Sequence, residues 1–239
     1  MTEQRNLGGK GKGLDWLVKN QKLGYKVPRF DGIDISFSQD IQKQAEIAKI
    51  ASVLSGKPYV AEILPEQIAK KVKSLTARFG KQAVAIRSSS SHEDGNHSFA
   101  GVYDSEIVDA PSLESNREAV MKVYQSLNSP RAIKYRAEKG IKDDEMAVIF
   151  QRFVEPDFSG VVFTSNPSYP RDLTIEFSEG RNKVVEGTGR TYIVEFDKKR
   201  GRISFKSESC DSLGVDVMVL LDKLFREATK DFYSRSEAQ

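Results

Sequence analysis

The chain of 239 residues contains a single cysteine, Cys210. One cysteine excludes a disulfide framework and a cysteine-based zinc site within the chain, and it fits a reducing compartment. Because Cys210 has no close basic or histidine neighbour in the sequence, its thiol is predicted to be idle and not to act as a nucleophile.

Long apolar runs are also missing. No segment approaches the length that a membrane-spanning helix needs. The first residues, MTEQRNLGGKGKG, include charges but no apolar stretch, so no signal peptide is predicted. We therefore expect a cytoplasmic protein with no membrane partner.

The chain has little excess charge of either sign. Its 37 Lys and Arg residues and 34 Asp and Glu residues give a formal net charge of +3. A nucleic-acid-binding domain usually presents a strongly basic face, which this balance does not favour. Nucleic acid is therefore not an expected partner.

What the chain does have is a change of pattern after its first third. The early part shows apolar residues at helical spacing, first at Leu14, Leu17 and Val18 and then between Ile41 and Leu54. A third predicted helix has Pro65 in its first turn and Gly80 as its stop. Its apolar face consists of Ile68, Val72, Leu75 and Phe79.

From residue 83 onward, short strand-like runs alternate with turn residues. Helices followed by loop-linked strands predict an α+β (mixed α/β) protein. We expect one lobe of about residues 1–110, a helical connection of about 111–142 and a second lobe of about 143–239, with a ligand between the lobes. The predicted elements are strands at 83–86, 106–108, 146–154, 160–164, 173–177, 191–196 and 203–205, and helices at 113–127, 131–139 and 217–228.

The segment Val84–Ser105, VAIRSSSSHEDGNHSFAGVYDS, has the residues that a phosphate-binding loop needs. Arg87 offers a permanent cation with a planar set of donors. Gly95 and Gly101 allow backbone N–H groups to approach an anion closely. A surface loop of the same composition is the alternative, and composition alone leaves both interpretations open.

A second anion-binding candidate is the N-terminal sequence LGGKGKGL, which precedes a predicted helix. Backbone donors and the helix dipole attract anions to a glycine-rich turn at a helix N-terminus. The spacing is not that of a Walker A loop, so a P-loop is excluded. From the residues alone, a flexible tail is an equal alternative.

Both segments resemble the ATP-binding domain of pyruvate phosphate dikinases and phosphoenolpyruvate synthases. That family reads roughly VRSSA-x-x-ED-x-x-x-x-SFAG, and it opens with GGK-G-x-x-L followed by VP. Two later segments, AVIFQRFVEPDFSGVVFTSNP and LTIEFSEGRNKVVEGTGRTYIVEF, resemble further family patterns in the same order. The residues that match the first two patterns are Gly8, Gly9, Lys10, Gly11, Leu14, Val27, Pro28, Arg87, Ser88, Ser89, Glu93, Asp94, Ser98, Phe99, Ala100, Gly101 and Ser105.

The resemblance implies an ATP-grasp-like, two-lobed nucleotide-binding domain that takes ATP and Mg²⁺. Lys10 and Arg87 are implied to contact the phosphates and to be the catalytic residues. The resemblance implies that Asp104 orients the loop, while a cap at the start of the next strand is an equal alternative from the residues alone. Glu176 is implied to anchor a ribose hydroxyl or to order the pocket. The full set of implied nucleotide contacts is Lys10, Arg87, Ser88, Gly101, Asp104, Ser105, Gln151 and Glu176.

The loop also holds two acids and the two histidines of the chain. Adjacent side chains on an extended segment point apart, so Glu93 and Asp94 are predicted to shape the loop and not to share a metal ion. A histidine can accept a phosphoryl group, but in the family that histidine belongs to a separate domain. His92 and His97 are therefore predicted to be exposed loop residues.

The sequence departs from the family pattern in two places. The family's GLGE is replaced by Gly180-Arg181-Asn182-Lys183, and the lost glutamate is implied to help hold the nucleotide. The family continues past the final helix with the acidic ligands of magnesium, whereas this sequence ends at Gln239. No metal ligand is therefore assigned, and inefficient catalysis by this chain alone is expected, because phosphoryl transfer depends on such charge neutralisation.

The leading hypothesis is the ATP-binding part of a dikinase. It would phosphorylate a histidine on another domain or chain on the way from pyruvate to phosphoenolpyruvate. A partner chain or further domains are expected to carry the phosphohistidine and pyruvate sites. The alternatives are a non-catalytic regulatory module, the nucleotide domain of a phosphotransferase that acts on an antibiotic or a glucan, and a scaffold that has lost nucleotide binding.

Overall fold

A computed structural model of the chain describes residues 5–21, 26–43, 64–93, 99, 101–163, 172–181, 184, 187, 190–197 and 202–205. The chain divides into two compact units, Met1–Val154 and Glu155–Gln239. The predicted connection at 111–142 and the start of the predicted second lobe both fall inside the first unit. The sequence indicated an earlier boundary because helices interrupt the strands there, yet the strand that follows them pairs within the first sheet.

The predicted helices and strands that fall on described residues are present in the predicted order with some differences in length, and β1 and a short 3-10 helix are additional. Residues 38–43 are also helical, and the rest of the predicted second helix, the predicted final helix and Cys210 lie outside the described residues. The elements are α1 (Gly8–Lys19), β1 (Phe30–Ile33), a short 3-10 helix (Ile35–Phe37), α2 (Glu66–Phe79), β2 (Val84–Ser90), β3 (Ser105–Val108), α3 (Leu113–Ser126), α4 (Pro130–Glu138), β4 (Met146–Arg152), β5 (Phe158–Phe163), β6 (Asp172–Glu179), β7 (Tyr192–Asp197) and β8 (Arg202–Phe205).

The first unit is built on a four-stranded antiparallel sheet in the order β1-β4-β2-β3. Side chains alternate between the faces of a strand. One face therefore carries Val84 and Ile86 of β2 together with Met146, Val148 and Phe150 of β4, and all five are fully buried. The helices α2 and α3 cover this face, so the main core lies between them and the sheet.

Helix α2 shows why the periodicity was informative. Its buried residues are Ile68, Val72, Leu75 and Phe79, which recur every three or four positions and form one stripe. Gly80 ends the helix with φ of +64°, a conformation that glycine adopts at no steric cost. The predicted third helix is confirmed, with Pro65 at its N-cap.

Strand β1 was not predicted, because Asp and Gly are uncommon in strands. Its Asp31 is buried and forms ion pairs with Arg5 and Arg78, which offset the cost of burying its charge. A Cβ at Gly32 would lie 2.6 Å from the carbonyl oxygen of Val148 on β4. Glycine is therefore needed for the close approach of these two strands.

The second unit contains an antiparallel sheet in the order β5-β6-β7-β8. Alternate residues of β6 and β7 form its core, with Phe158 of β5 packed against them. The core residues are Leu173, Ile175, Phe177, Tyr192, Val194 and Phe196. The mixture of helices and antiparallel sheets in the described residues confirms the predicted α+β class. No helix in the part of the chain that the structure describes is long and apolar enough to cross a membrane.

Candidate functional site

Arg87 lies in the middle of a strand and not in a loop. The apolar run was expected to end at this arginine, but β2 continues through the serines to Ser90. Arg87 lies opposite Ser105 of β3 and opposite Ile149 of β4. The expected loop was wrong over Arg87–Ser90 because hydrogen bonding from strands on both sides extends β2 through residues of low strand preference.

The Arg87 guanidinium is a partly buried cation. Its Nη1 donates a hydrogen bond of 2.9 Å to Oε1 of Gln151, which is a diagonal neighbour on the same sheet face. Burial lowers the pKa of Arg87, and the negative charge of Glu93 opposes that shift. Among the described residues, no carboxylate forms an ion pair with this guanidinium, so its direct partner is a neutral amide.

Lys10 approaches this site from α1, which packs on the same face of the sheet as Arg87. The glycines of the N-terminal motif were expected in a turn before the helix, but α1 begins at Gly8. Gly8 has φ of +67°, and a Cβ there would lie 2.7 Å from Oγ of Ser89. Gly11 N–H donates to the same hydroxyl. The glycines therefore let the first turn of the helix contact the backbone of β2.

The ammonium of Lys10 forms an ion pair with Glu93. The side chain of Glu93 is only 8% exposed, whereas that of Lys10 is 30% exposed. The second carboxylate oxygen of Glu93 accepts a hydrogen bond of 3.3 Å from Ser90 N–H. Burial raises the pKa of Glu93, Lys10 and Ser90 N–H lower it, and Asp144 raises it further, with a net upward shift. Glu93 thus joins α1 to the end of β2, as its predicted role in shaping this segment requires.

Three other predicted contacts lie in or next to the β2–β3 connection, which we define as residues 91–104. Ser105 is exposed and shares a sheet face with its partner Arg87. Gly101 has φ of +71° and open space where a Cβ would lie. The carboxylate of Asp104 accepts a hydrogen bond of 2.9 Å from Arg131 of α4, and Asp104 N–H donates to Ser126. Asp104 therefore ties the connection to α3 and α4.

Two of the predicted nucleotide contacts, Ser88 and Glu176, do not lie on the face of the first sheet that carries Arg87. Ser88 lies on the opposite face of β2, where its side chain is buried and, among the described residues, its hydroxyl has no hydrogen-bond partner. Glu176 belongs to β6 of the second unit, where it lies opposite Val161 and Ile193. The sequence pattern did not separate these residues because it does not report which face of a strand a serine occupies.

Asp144 is a buried acid that the sequence did not single out. Its carboxylate accepts hydrogen bonds from Ser90, Ser91 and Tyr103 and contacts Nδ1 of His92 at 2.9 Å. Burial raises the pKa of Asp144, but these hydrogen bonds outweigh it and hold the pKa below its usual value. Burial and the same carboxylate raise the pKa of Tyr103.

The Asp144 contacts hold the two ends of the β2–β3 connection together, since Ser91 and His92 begin it and Tyr103 closes it. His92 is 44% exposed, in agreement with the predicted exposed loop histidine. His97 and Asp94 lie outside the described residues.

No magnesium ligands are assigned to this site. Among the described residues, no group of three or more His, Cys, Asp or Glu side chains is placed to hold a metal ion. Arg87 and Lys10 carry positive charge, and the exposed Ser105 offers a hydroxyl on the face of β3 that neighbours Arg87, a combination that suits an anion.

The sequence matches the family model described as "Pyruvate phosphate dikinase, AMP/ATP-binding domain" over residues 4–210. The chain belongs to this family, which confirms the resemblance drawn from its motifs. The α+β fold of the described residues is consistent with this family of AMP/ATP-binding domains.

Several relatives share this part of their sequence with the chain. A probable phosphoenolpyruvate synthase of Archaeoglobus fulgidus is 31% identical over 226 residues, covering 81% of this chain and 29% of that protein. Rifampicin phosphotransferase of Bacillus subtilis is 28% identical over 208 residues, covering 77% of this chain and 24% of that protein. Phosphoenolpyruvate synthase of Pyrococcus furiosus is 32% identical, covering 68% and 21%. The chain thus spans between 21% and 29% of the length of these curated relatives.

Proposed function

We propose that this chain binds ATP as the nucleotide-binding part of a phosphotransferase. The observation that carries the proposal is the partly buried Arg87 guanidinium, whose direct partner among the described residues is the neutral Gln151. A cation that is partly removed from water is costly when no carboxylate contacts it directly, and the charge of Glu93 acts on Arg87 only from a distance. A nucleotide phosphate at this position supplies the missing negative charge.

Each of these described residues has a different role in binding the phosphates. Gln151 accepts a hydrogen bond from one donor of Arg87, which leaves the other donors for phosphate oxygens. Lys10 adds a second cation, and the Ser105 hydroxyl stands beside Arg87 in the same sheet. Gly101 lets the backbone of the β2–β3 connection come near the nucleotide. These roles stabilise charge and position the phosphates, which is most of what phosphoryl transfer requires from a protein.

We infer that the phosphoryl group passes to a histidine of another domain or chain on the way from pyruvate to phosphoenolpyruvate. Support comes from the relatives named as phosphoenolpyruvate synthases. Relatives named as rifampicin phosphotransferases match the same part of the chain, so this part is expected to serve more than one acceptor. The replacement at Gly180–Lys183 favours the second candidate, a nucleotide-binding module without turnover.

Calorimetric titration of ATP, with and without Mg²⁺, tests the site. Arg87→Ala is expected to weaken binding about a hundredfold, because a charge-assisted hydrogen bond in a partly buried site contributes about 1.5–3 kcal/mol. Lys10→Ala is expected to weaken binding about tenfold, since Lys10 is more exposed and screened. Lys12→Ala and Arg152→Ala are matched controls, because both are exposed cations near the same elements.

Two results would contradict the proposal. Equal ATP affinity in Arg87→Ala and Arg152→Ala would place the nucleotide elsewhere, and no binding by the unaltered chain would exclude the function. The acceptor is tested by adding a candidate partner chain with a reactive histidine and measuring AMP and phosphohistidine. Binding without either product under every pairing would favour the non-catalytic module.

A further inference from the structure

The ammonium that is expected to meet the nucleotide already has a partner. Lys10 is paired with Glu93, a carboxylate with only 8% of its side chain exposed. The other oxygen of Glu93 accepts a hydrogen bond from Ser90 N–H. A buried carboxylate depends on such partners, because its charge is costly to hold away from water. Phosphates that attract Lys10 therefore act on Glu93 as well.

We propose that Glu93 positions Lys10 in the nucleotide-free protein and takes up a proton from solution when nucleotide phosphates bind. The inference rests on the proposed function, since it requires that phosphates reach Lys10. It adds a role for Glu93, which is not among the predicted nucleotide contacts. In the nucleotide-free protein the Lys10 ammonium balances the negative charge of Glu93. When the phosphates attract Lys10, the proton neutralises Glu93 in its place.

The charged groups around Glu93 set the direction of this change. Lys10 faces it from α1, Arg87 and Ser90 N–H face it from β2, and Asp144 acts on it from the segment before β4. Lys10 is the main group that keeps the Glu93 pKa from rising further. A phosphate draws the positive charge of Lys10 and Arg87 toward itself and adds negative charge near Glu93. Both changes favour the protonated carboxyl.

The step balances without any further reactant. The Glu93 carboxylate and one proton from the buffer give the carboxylic acid, and no bond of the nucleotide forms or breaks. The protonated Glu93 no longer carries the charge that held Lys10. The ammonium is then free to bind phosphate without leaving an unpaired carboxylate in the protein interior.

The test measures proton uptake by titrating ATP into the full chain at pH 6.5 in buffers of different ionisation enthalpy. ATP has its own ionisable γ-phosphate, so Glu93→Gln, which has nearly the same shape but cannot ionise, measures that background. The unaltered chain is expected to take up about half a proton or more per nucleotide beyond Glu93→Gln. Glu118→Gln, at an exposed position on α3, is expected to match the unaltered chain.

A second variant keeps the test decisive if Glu93→Gln does not fold. In Lys10→Met the partner of Glu93 is absent before the nucleotide arrives, so Glu93 is already protonated in more of the molecules. This variant is expected to bind ATP more weakly and with less proton uptake than the unaltered chain. Raising the pH to 8 is expected to reduce the uptake in the unaltered chain, because proton binding becomes less favourable.

The outcomes separate this inference from the proposed function. If ATP binds tightly but proton uptake is the same in the unaltered chain, Glu93→Gln and Lys10→Met, the role of Glu93 is wrong and the nucleotide site stands. If the unaltered chain does not bind ATP at all, both fail together. Excess uptake that disappears in both variants supports the inference.

Discussion

Arg87 occupies a strand with a hydrogen-bonded neighbour on each side, so its backbone cannot shift without disturbing two pairings. A cation on such a strand is held in position before the ligand arrives. Preorganised charge is more effective than charge on a mobile loop, because no ordering cost is incurred during binding. The strand also fixes which neighbouring side chains share the Arg87 face.

The two serines after Arg87 have opposite environments. Ser88 faces the core without a described hydrogen-bond partner. Ser89 donates to the carbonyl oxygen of Leu7 at 2.6 Å and accepts from Gly11 N–H. Sequence alone treats them as equivalent members of one motif, whereas alternation along a strand gives them different roles.

We predict that Ser88→Ala changes the free energy of unfolding by no more than about 0.5 kcal/mol, because it removes a buried hydroxyl without a described partner. Ser89→Ala is expected to cost about 1–2 kcal/mol, since it breaks the link between α1 and β2. Urea denaturation measures both. ATP affinity is expected to be unchanged by Ser88→Ala, and a loss of more than about threefold, near 0.7 kcal/mol, would instead support the phosphate contact implied for Ser88 by the family pattern.

At the scale of elements, one carboxylate closes the base of the β2–β3 connection. Asp144 accepts hydrogen bonds from residues at both ends of that segment and is completely buried. Its pKa lies below the usual value, because hydrogen bonds to the ionised form outweigh the effect of burial. The ionised form therefore contributes stability that is present above the unfolded-state pKa and is lost as the pH falls through the lower folded-state pKa.

Asp144→Asn is expected to lower the free energy of unfolding by about 2–4 kcal/mol near neutral pH, because an amide cannot accept from all of these donors. The difference from the unaltered chain is expected to persist down to about pH 4 and to shrink below it, where the unfolded carboxyl is protonated. Asp143→Asn is the control, since Asp143 is the exposed neighbour. Equal costs at the two positions would show that Asp144 is not the closing residue.

Sequence predicted the elements whose pattern is set by burial on one face. Ile68, Val72 and Leu75 gave the helix α2, and the alternation of Leu173, Ile175 and Phe177 gave β6. It did not predict β1, whose Asp31 is stabilised by arginines that are distant in the chain. These ion pairs form only in the folded protein, so the residues next to Asp31 in the sequence give no sign that its charge can be buried.

The site was predicted less completely than the fold. Arg87 and Lys10 were chosen from the residue pattern and the motif resemblance, and their contact with a nucleotide stays a prediction. Arg87 lies in β2, and Lys10 lies in α1, whose glycines contact Ser89 of the same strand. Asp144 was missed because it stands in a run of three acids, Asp143, Asp144 and Glu145. One signal was available: Asp144 lies two residues before Met146, so an extended chain would place both on the core face.

At the scale of the whole molecule, each described core belongs to one unit. The first core includes Val123 of α3 and Phe150 of β4, whereas the second includes Val194 of β7 and Phe177 of β6. Each cluster is built from residues of its own sheet and helices. A destabilising substitution in one core is therefore expected to increase local unfolding first in the helices and strands that pack around that core.

We predict that Val123→Ala and Val194→Ala, each of which truncates a completely buried side chain, cost about 1–3 kcal/mol in their own units. Hydrogen exchange with peptide resolution provides the measurement. Val194→Ala is expected to speed exchange in β6 and β7 and to leave β2 and β4 unchanged, and Val123→Ala is expected to do the reverse. Equal acceleration throughout the described strands would mean that the two units unfold as one.

The position of β4 between β1 and β2 has a consequence for synthesis on the ribosome. The strand β1 is made early and β4 late in the first unit, yet β4 is the direct neighbour of both β1 and β2. A nascent chain that has not yet reached Met146 has no strand to join these two, and pairing between distant segments is slow to form. Arg87 therefore gains its partner Gln151 only at the end of this unit's translation. Until then the growing chain carries Lys10 and Arg87 without the completed sheet that holds Arg87 in place.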